Sequence, residues 1–240
     1  MELSVIVPVR NEAENIVALL DEIERALEGR FAYEVIYVDD GSSDDTLPRL
    51  AALSQNRPHL RVLRHLNGYG QSTALWTGIR AAQGLAIVTL DGDGQNDPAD
   101  IPHLLTVWRE LQRQNHKAMV VGYRKHRMDT GWRKFSSRIA NTVRSSLLGD
   151  DTPDTGCGLK VFSRELFLML PYFDHMHRFL PALTQRAGGK VISEEVNHRP
   201  RLTGISKYGT WHRLGVGIVD LFGVIWLQRR SKVAKVEEIT

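Results

Sequence analysis

The chain is short of the features that mark several protein classes. It has one cysteine in 240 residues, Cys157, so it forms no internal disulfide and suits a reducing compartment. No apolar run is long enough to span a bilayer. Met1-Glu2 leads straight into an apolar segment with no basic stretch before it, so no signal peptide is expected. Histidine and cysteine nowhere take the spacing of a zinc site, and there is neither an internal repeat nor a low-complexity linker. What is present, 42% hydrophobic and 25% charged residues, is ordinary for one soluble globular domain with room for an appendage. The net charge of +3 is mild, but acidic residues dominate 12–45 while Arg, Lys and His gather in 123–138, 198–213 and 229–235. Such clusters are most often solvated faces; otherwise they hold phosphorylated substrates, a membrane surface or nucleic acid.

The first hundred residues alternate two patterns. Apolar runs at 3–7, 33–38, 60–63 and 86–90 read as strands. Between them, apolar residues recur at helical spacing, as in Ile16, Leu19, Leu20, Ile23 and Leu27. Asn11 with Glu14 three residues on resembles a capping box ahead of the first helix. Strands alternating with amphipathic helices imply a parallel sheet covered on both faces, in which ligands bind beyond the carboxyl ends of the strands. Polar motifs fall there four times, at 8–12, Asp39-Asp40, 67–70 and 91–95. Further along, 101–112 reads as a helix, 118–122 as a strand and 131–148 as a basic amphipathic helix. A loop over 150–158, helices over 164–170 and 180–186, and a strand over 191–196 follow.

The most informative stretch is Asp91-Gly92-Asp93-Gly94-Gln95, where the fourth apolar run stops. In extended chain, residues two apart point to the same side, so Asp91 and Asp93 can face one ligand. Two adjacent carboxylates repel and call for a cation, and a hard divalent ion with positions left for phosphate oxygens meets that need. A solvated acidic turn is the plain alternative. An EF-hand loop is excluded, because its sixth and twelfth positions would be Asn96 and Pro102.

Taken together, the motifs resemble family-2 glycosyltransferases of GT-A fold, and within them the dolichol- and undecaprenyl-phosphate sugar transferases. The residues carrying the likeness are Val5-Ile6-Val7-Pro8 with Asn11-Glu12, Val38-Asp39-Asp40-Gly41-Ser42, Asn67-Gly68-Tyr69-Gly70 and Asp91-Gly92-Asp93-Gly94-Gln95 with Pro98. Gly122-Tyr123-Arg124, Ser137-Arg138 with Asn141, Asp154 with 156–160, and Arg201 with Gly204-Ile205-Ser206-Lys207-Tyr208 continue it, over roughly residues 3–210. Arg10 stands where many relatives carry an aromatic residue two after the proline, and the transmembrane helices that some of them append are not present. The resemblance implies an α/β GT-A catalytic domain over 1–213, its mostly parallel sheet flanked by helices, and an amphipathic basic tail over 214–240. It also implies a nucleotide-diphosphate-sugar donor, Mg²⁺ or Mn²⁺ as cofactor, and a polyprenyl phosphate acceptor.

Residue by residue, the resemblance places the base and ribose against Pro8, Glu12 and Asp39, whose carboxylates can accept from ring N–H and hydroxyl groups. Glu12 could equally serve the helix N-terminus. Asp91 would approach ribose or metal, and Asp93 and Gln95 would hold the metal. Arg201 and Lys207 would close over the diphosphate as a glycine-hinged lid, or else dress a solvated loop. Arg124 and Arg138 are candidates for the acceptor phosphate. Asp154 would be the base for a hydroxyl acceptor, or bind sugar hydroxyls or orient a basic side chain for a phosphate one. His175, His177 and Arg178 could touch phosphate, and Cys157 reads as small and structural.

In the tail, Leu214, Ile218, Leu221, Phe222, Ile225 and Trp226 recur at helical intervals before Arg229, Arg230 and Lys232. This suits an interfacial helix on the cytoplasmic membrane face, with a helix docked on the core as the alternative. Three other functions compete: transfer to a saccharide or lipid hydroxyl, sugar-nucleotide synthesis, and nucleic-acid binding. Sequence 8–12 lacks the glycines that open a nucleotidyltransferase loop, and nucleic-acid binding leaves the rim carboxylates unexplained.

Overall fold

The computed structural model describes residues 1–114, 117–124, 147–150, 152–200, 210–230 and 237. One sheet organises them. β1 (Leu3–Val9), β2 (Tyr33–Asp40), β3 (Leu60–His65) and β4 (Ala86–Thr89) are the four expected strands, and β5 (Ala118–Tyr123), β6 (Lys160–Ser163) and β7 (Lys190–Glu195) complete it. The order is β3-β2-β1-β4-β6-β5-β7. Every pairing is parallel except the two that β6 makes, with β4 and β5.

β6 is not legible as a strand in the sequence. Four residues flanked by a glycine loop and a helix start give too short a run to show a period. It still fills the space between β4 and β5, with Lys160 opposite both Thr89 and Val121.

Both faces of the sheet are covered, which is why β1 and β2 read as continuous apolar runs. On one face Val5, Val7 and Val9 pack with α1 (Ile16–Leu27), α2 (Thr46–Ser54) and α4 (Ile101–Gln114). On the other, Ile6, Ile36, Ile87 and Phe162 pack with α3 (Gln71–Ala81), α5 (Arg164–Met169) and α6 (Leu180–Arg186). Of the helix expected over 131–148, Leu147 and Leu148 alone are described, and they are helical.

The capping box does not form. Asn15, not Asn11, precedes α1, and it makes no side-chain cap. Asn11 instead takes φ +54° and bonds across to the turn after β2, where its Oδ1 accepts from Ser43 N at 2.8 Å and its N–H donates to Ser42 Oγ at 2.9 Å. A tertiary bond has displaced the local one.

The tail forms α7 (Thr210–Arg229), one helix running unbroken across residues 213 and 214. Val224 is fully buried on the second face, with Leu221, Ile225 and Leu227 packed against the same cluster. Arg186 Nε donates to Leu227 O at 3.0 Å and Gln228 Nε2 to Leu148 O at 2.9 Å, fastening the helix to the domain. Its other side leaves Ile218, Val219, Phe222 and Trp226 each more than half exposed. The apolar stripe read as one is therefore two, one docked and one outward. Among the described residues no helix is long and apolar enough to cross a membrane.

Candidate active site

The polar motifs converge on one rim of the sheet. At the end of β2 successive carboxylates point to opposite sides, as the strand period requires. Asp40 accepts from Tyr69 N and Gly70 N, both at 2.8 Å, and contacts His65 Nδ1 at 2.8 Å. It is the fastener of the 67–70 turn. Asp39 is almost wholly buried; its Oδ1 accepts from Ser42 N at 3.3 Å, while its Oδ2 is buried with no hydrogen-bond partner among the described residues. A buried acceptor left unmatched is costly and points to a donor supplied by a ligand. Pro8 and Glu12 flank it on β1 and the turn beyond, and Glu12 Oε2 accepts from Asn15 Nδ2 at 2.7 Å.

Asp91 and Asp93 lie just past β4. Gln71 Nε2 donates to Asp91 Oδ1 at 2.8 Å. Burial, reinforced by the charge of Asp93, pushes the Asp91 carboxyl up to about 6, against the opposing pull of Lys160 and Arg124. Gly158 lies directly against this carboxylate, for a Cβ there would come 2.6 Å from Asp91 Oδ1. Gln95 N donates to Asp93 Oδ1 at 3.2 Å.

The Gln95 amide has a set direction. Its Nε2 donates to Arg199 O at 3.4 Å, which makes Oε1 the end that can ligate, and Arg199 N donates to the backbone carbonyl of Gln95 at 3.0 Å. Arg199 itself is anchored by ion pairs to Asp97 and Glu22.

Among the described residues no three His, Cys, Asp or Glu side chains gather around one point. Two carboxylates and an amide oxygen remain, a hard-oxygen set short of a full shell. It fits a divalent ion that takes its other ligands from a diphosphate.

Opposite stands a buried ion pair. Arg124, at the end of β5, donates from Nε to Asp154 Oδ2 at 2.6 Å and from Nη2 to Asp154 Oδ1 at 2.9 Å. Burial works against the guanidinium charge, but the Asp154 pair outweighs it and holds the Arg124 pKa above its ordinary value. Arg124 and Asp154, read from sequence as separate candidates, form one unit here. Arg138, Arg201 and Lys207 lie outside the described residues.

Two residues of this rim were given no role from the sequence. Lys160 is buried at the start of β6, donates from Nζ to Cys157 O, and has its pKa lowered chiefly by burial. Gln71 is an unremarked helix-start residue until its contact with Asp91 is seen. A charged residue entering an apolar run, as Lys160 does before Val161 and Phe162, was the available clue. His177 is half-buried; its Nδ1 lies 2.7 Å from Ser72 Oγ, and burial together with Arg178 keeps its ring neutral. Cys157 is fully buried at 3.6 Å from Asn96 Nδ2, and burial raises its thiol pKa, as befits a packing residue.

A helix-covered, mostly parallel sheet with two carboxylates past its central strand defines the GT-A class of glycosyltransferases. The model of glycosyl transferase family 2 matches residues 4–169, and the chain belongs to that family. It is 34% identical to the dodecaprenyl-phosphate galacturonate synthase of Rhizobium johnstonii over 234 residues, 95% of this chain and 68% of that protein. It is 34% identical to the undecaprenyl-phosphate 4-deoxy-4-formamido-L-arabinose transferase of Aeromonas hydrophila over 218 residues, 89% of this chain and 65% of that one. The chain thus spans about two thirds of the length of these relatives. In fold it is similar to a mannosyltransferase of Pyrobaculum calidifontis in complex with GDP-Man and Mn²⁺, with TM-score 0.70 and 22% identity, covering 97% of this chain and 66% of that one. It is also similar to the glucosyl-3-phosphoglycerate synthase of Mycobacterium tuberculosis in complex with Mn²⁺, UDP-Glc and phosphoglyceric acid. There the TM-score is 0.64 and the identity 21%, with 95% and 79% covered.

Proposed function

We propose that the protein transfers a sugar, with inversion, from a nucleotide-diphosphate sugar to a polyprenyl phosphate at the cytoplasmic face of a membrane. The kinship with two lipid-phosphate sugar transferases sets the class of reaction. The observation that favours a phosphate acceptor over a hydroxyl one is the bidentate Arg124–Asp154 pair. A hydroxyl acceptor needs a general base, and a carboxylate with both oxygens engaged by a guanidinium is a poor one. A phosphomonoester has a second pKa near ~6, so it is already a dianion at neutral pH and needs placement rather than activation. In this reading Asp154 orients Arg124 toward the acceptor phosphate, with Arg138 assisting.

On the donor side, Asp39 Oδ2, Pro8 and Glu12 receive base and ribose. Asp91, Asp93 and Gln95 hold Mg²⁺ or Mn²⁺, with Arg201 and Lys207 closing over the diphosphate. The ion, when bound, neutralises charge on the departing nucleoside diphosphate. Residues 1–213 carry the chemistry and 214–240 the attachment: the outward Ile218, Val219, Phe222 and Trp226 of α7 enter the headgroup region, and Arg229, Arg230 and Lys232 meet anionic lipid.

The test is incubation with labelled sugar nucleotides and polyprenyl phosphate, with and without EDTA, using wild type and Asp93→Ala. Transfer that needs both metal and Asp93, with no transfer to free saccharides, is the outcome this reading requires. Turnover unaffected by excess EDTA, or a hydroxyl product, would overturn it.

A further inference from the structure

We propose that Arg199 is a positioning residue for the metal site: paired with Glu22 and Asp97, it fixes the segment whose backbone orients the Gln95 amide, and so sets the affinity for the divalent ion. This rests on the reading of Gln95 as a ligand given above. Residues 196–199 leave β7 and run antiparallel to the loop that follows Asp93. Asn96 and His198 form a bridge, and Arg199 N donates to Gln95 O at 3.0 Å. Asn197 donates from N and Nδ2 to the two carboxylate oxygens of Asp100, at 2.7 and 3.1 Å. The Gln95 side chain joins the same lacing, its Nε2 donating to Arg199 O at 3.4 Å. The amide is thus held by the backbone of residue 199.

Residue 199 is held in turn by its own side chain. Arg199 Nη1 donates to both carboxylate oxygens of Glu22, at 2.9 and 2.8 Å, and Nη2 pairs with Asp97 Oδ1. Asp97 is itself fixed, because the same oxygen accepts from Ala99 N at 3.0 Å and caps the turn at 98–100. One planar fork therefore ties the end of the segment to α1 on one branch and to the turn beyond the acidic loop on the other. Guanidinium spans two such partners; an ammonium is a point charge with no fork. The Gln95 side chain is long and free to rotate, so holding its amide before the ion arrives removes an ordering cost from binding. A neutral amide attracts a cation less than a carboxylate does, and its worth as a ligand depends on being held in place. Outer partners of this kind change metal affinity by roughly 10–100-fold.

The experiment is titration of Mn²⁺, followed by the electron paramagnetic resonance of the free ion, in separate series with saturating UDP and saturating GDP. Wild type, Arg199→Ala, Gln95→Ala, Arg199→Ala/Gln95→Ala and Glu22→Gln are compared, with melting curves to show that each is folded. Arg199→Ala weakens Mn²⁺ binding about tenfold and Gln95→Ala at least as much. The double variant is no weaker than Gln95→Ala alone, because the side chain that Arg199 positions is gone. Glu22→Gln, on another element, weakens Mn²⁺ about threefold and carries the test where Arg199→Ala does not fold. Wild-type Mn²⁺ affinity in Arg199→Ala or in Glu22→Gln, even with a lowered melting temperature, would mark a merely structural ion pair and overturn the assignment. Losses that multiply in the double variant would overturn it too. Full Mn²⁺ affinity in Gln95→Ala, or no Mn²⁺ uptake by the wild type, would instead remove the ligand reading and the assignment with it.

Discussion

Replacing Asp91 by asparagine should make the metal-free protein more stable while destroying its ability to respond to metal. In the structure the Asp91 carboxyl is pushed from an ordinary 3.8 to about 6 by burial and by Asp93. The folded state therefore holds this proton more tightly than the unfolded chain does. Between the two values stability falls as pH rises, and above about 6 the full penalty is present. Two pKa units at about 1.4 kcal/mol each set an upper limit of roughly 3 kcal/mol. Partial exposure and the Gln71 contact bring the expected gain to about 1–3 kcal/mol, or roughly 3–10 °C in a domain of this size. Melting curves of wild type and Asp91→Asn at pH 7.5 and pH 4.5, in EDTA, measure it. The gain at pH 4.5 should be only about a third of the gain at pH 7.5. Adding Mn²⁺ and nucleotide should then reverse the order, raising the wild type by mass action and leaving the variant unmoved. An Asp91→Asn protein that is no more stable than wild type at pH 7.5, or whose advantage is the same at both pH values, would refute the reasoning.

Three further outcomes follow from contacts already described. Arg124→Ala removes the bidentate partner of the buried Asp154 and should cost about 3–5 kcal/mol of stability; Arg124→Ala/Asp154→Ala should recover part of that loss in urea unfolding, while neither variant uses the acceptor. Gly158→Ala drives a methyl into the Asp91 carboxylate and should cut kcat/KM at least about a hundredfold, with Mn²⁺ affinity falling in parallel. Val224→Ala should lower stability by about 2 kcal/mol with unchanged co-sedimentation on anionic liposomes, whereas Trp226→Glu should abolish co-sedimentation and leave the melting temperature in place.

The position of Asp39, Asp91 and Asp93 on the rim was legible because they follow apolar strands, so that each could be placed by counting from a strand end. The strand β6 was not, since four residues carry too little pattern, and Lys160, quoted only as the end of 156–160, was given no role. The Arg124–Asp154 pair joins residues 30 apart, and no local pattern says which side chains meet over that distance; packing decides it. Asn11 shows the opposite failure, a good local motif overridden by a bond to residues 42 and 43. In α7 the periodicity was visible, but one helical wheel cannot say that Val224 faces protein while Phe222 faces outward.

The reversed direction of β6 has a consequence for how such an enzyme can diversify. With Lys160 beside Thr89, the amino end of β6 lies next to the carboxyl end of β4. Asp39, Asp91 and Asp93 are thus delivered by strands finishing at the rim, and residues 154–158 by a segment arriving there before its strand begins. The two sets hang on separate stretches of chain, and the register of β1, β2 and β4 does not depend on the length of the connection between β5 and β6. On the proposed reading, insertions and replacements in that connection can redesign what accepts the sugar while the apparatus that grips the nucleotide is inherited intact.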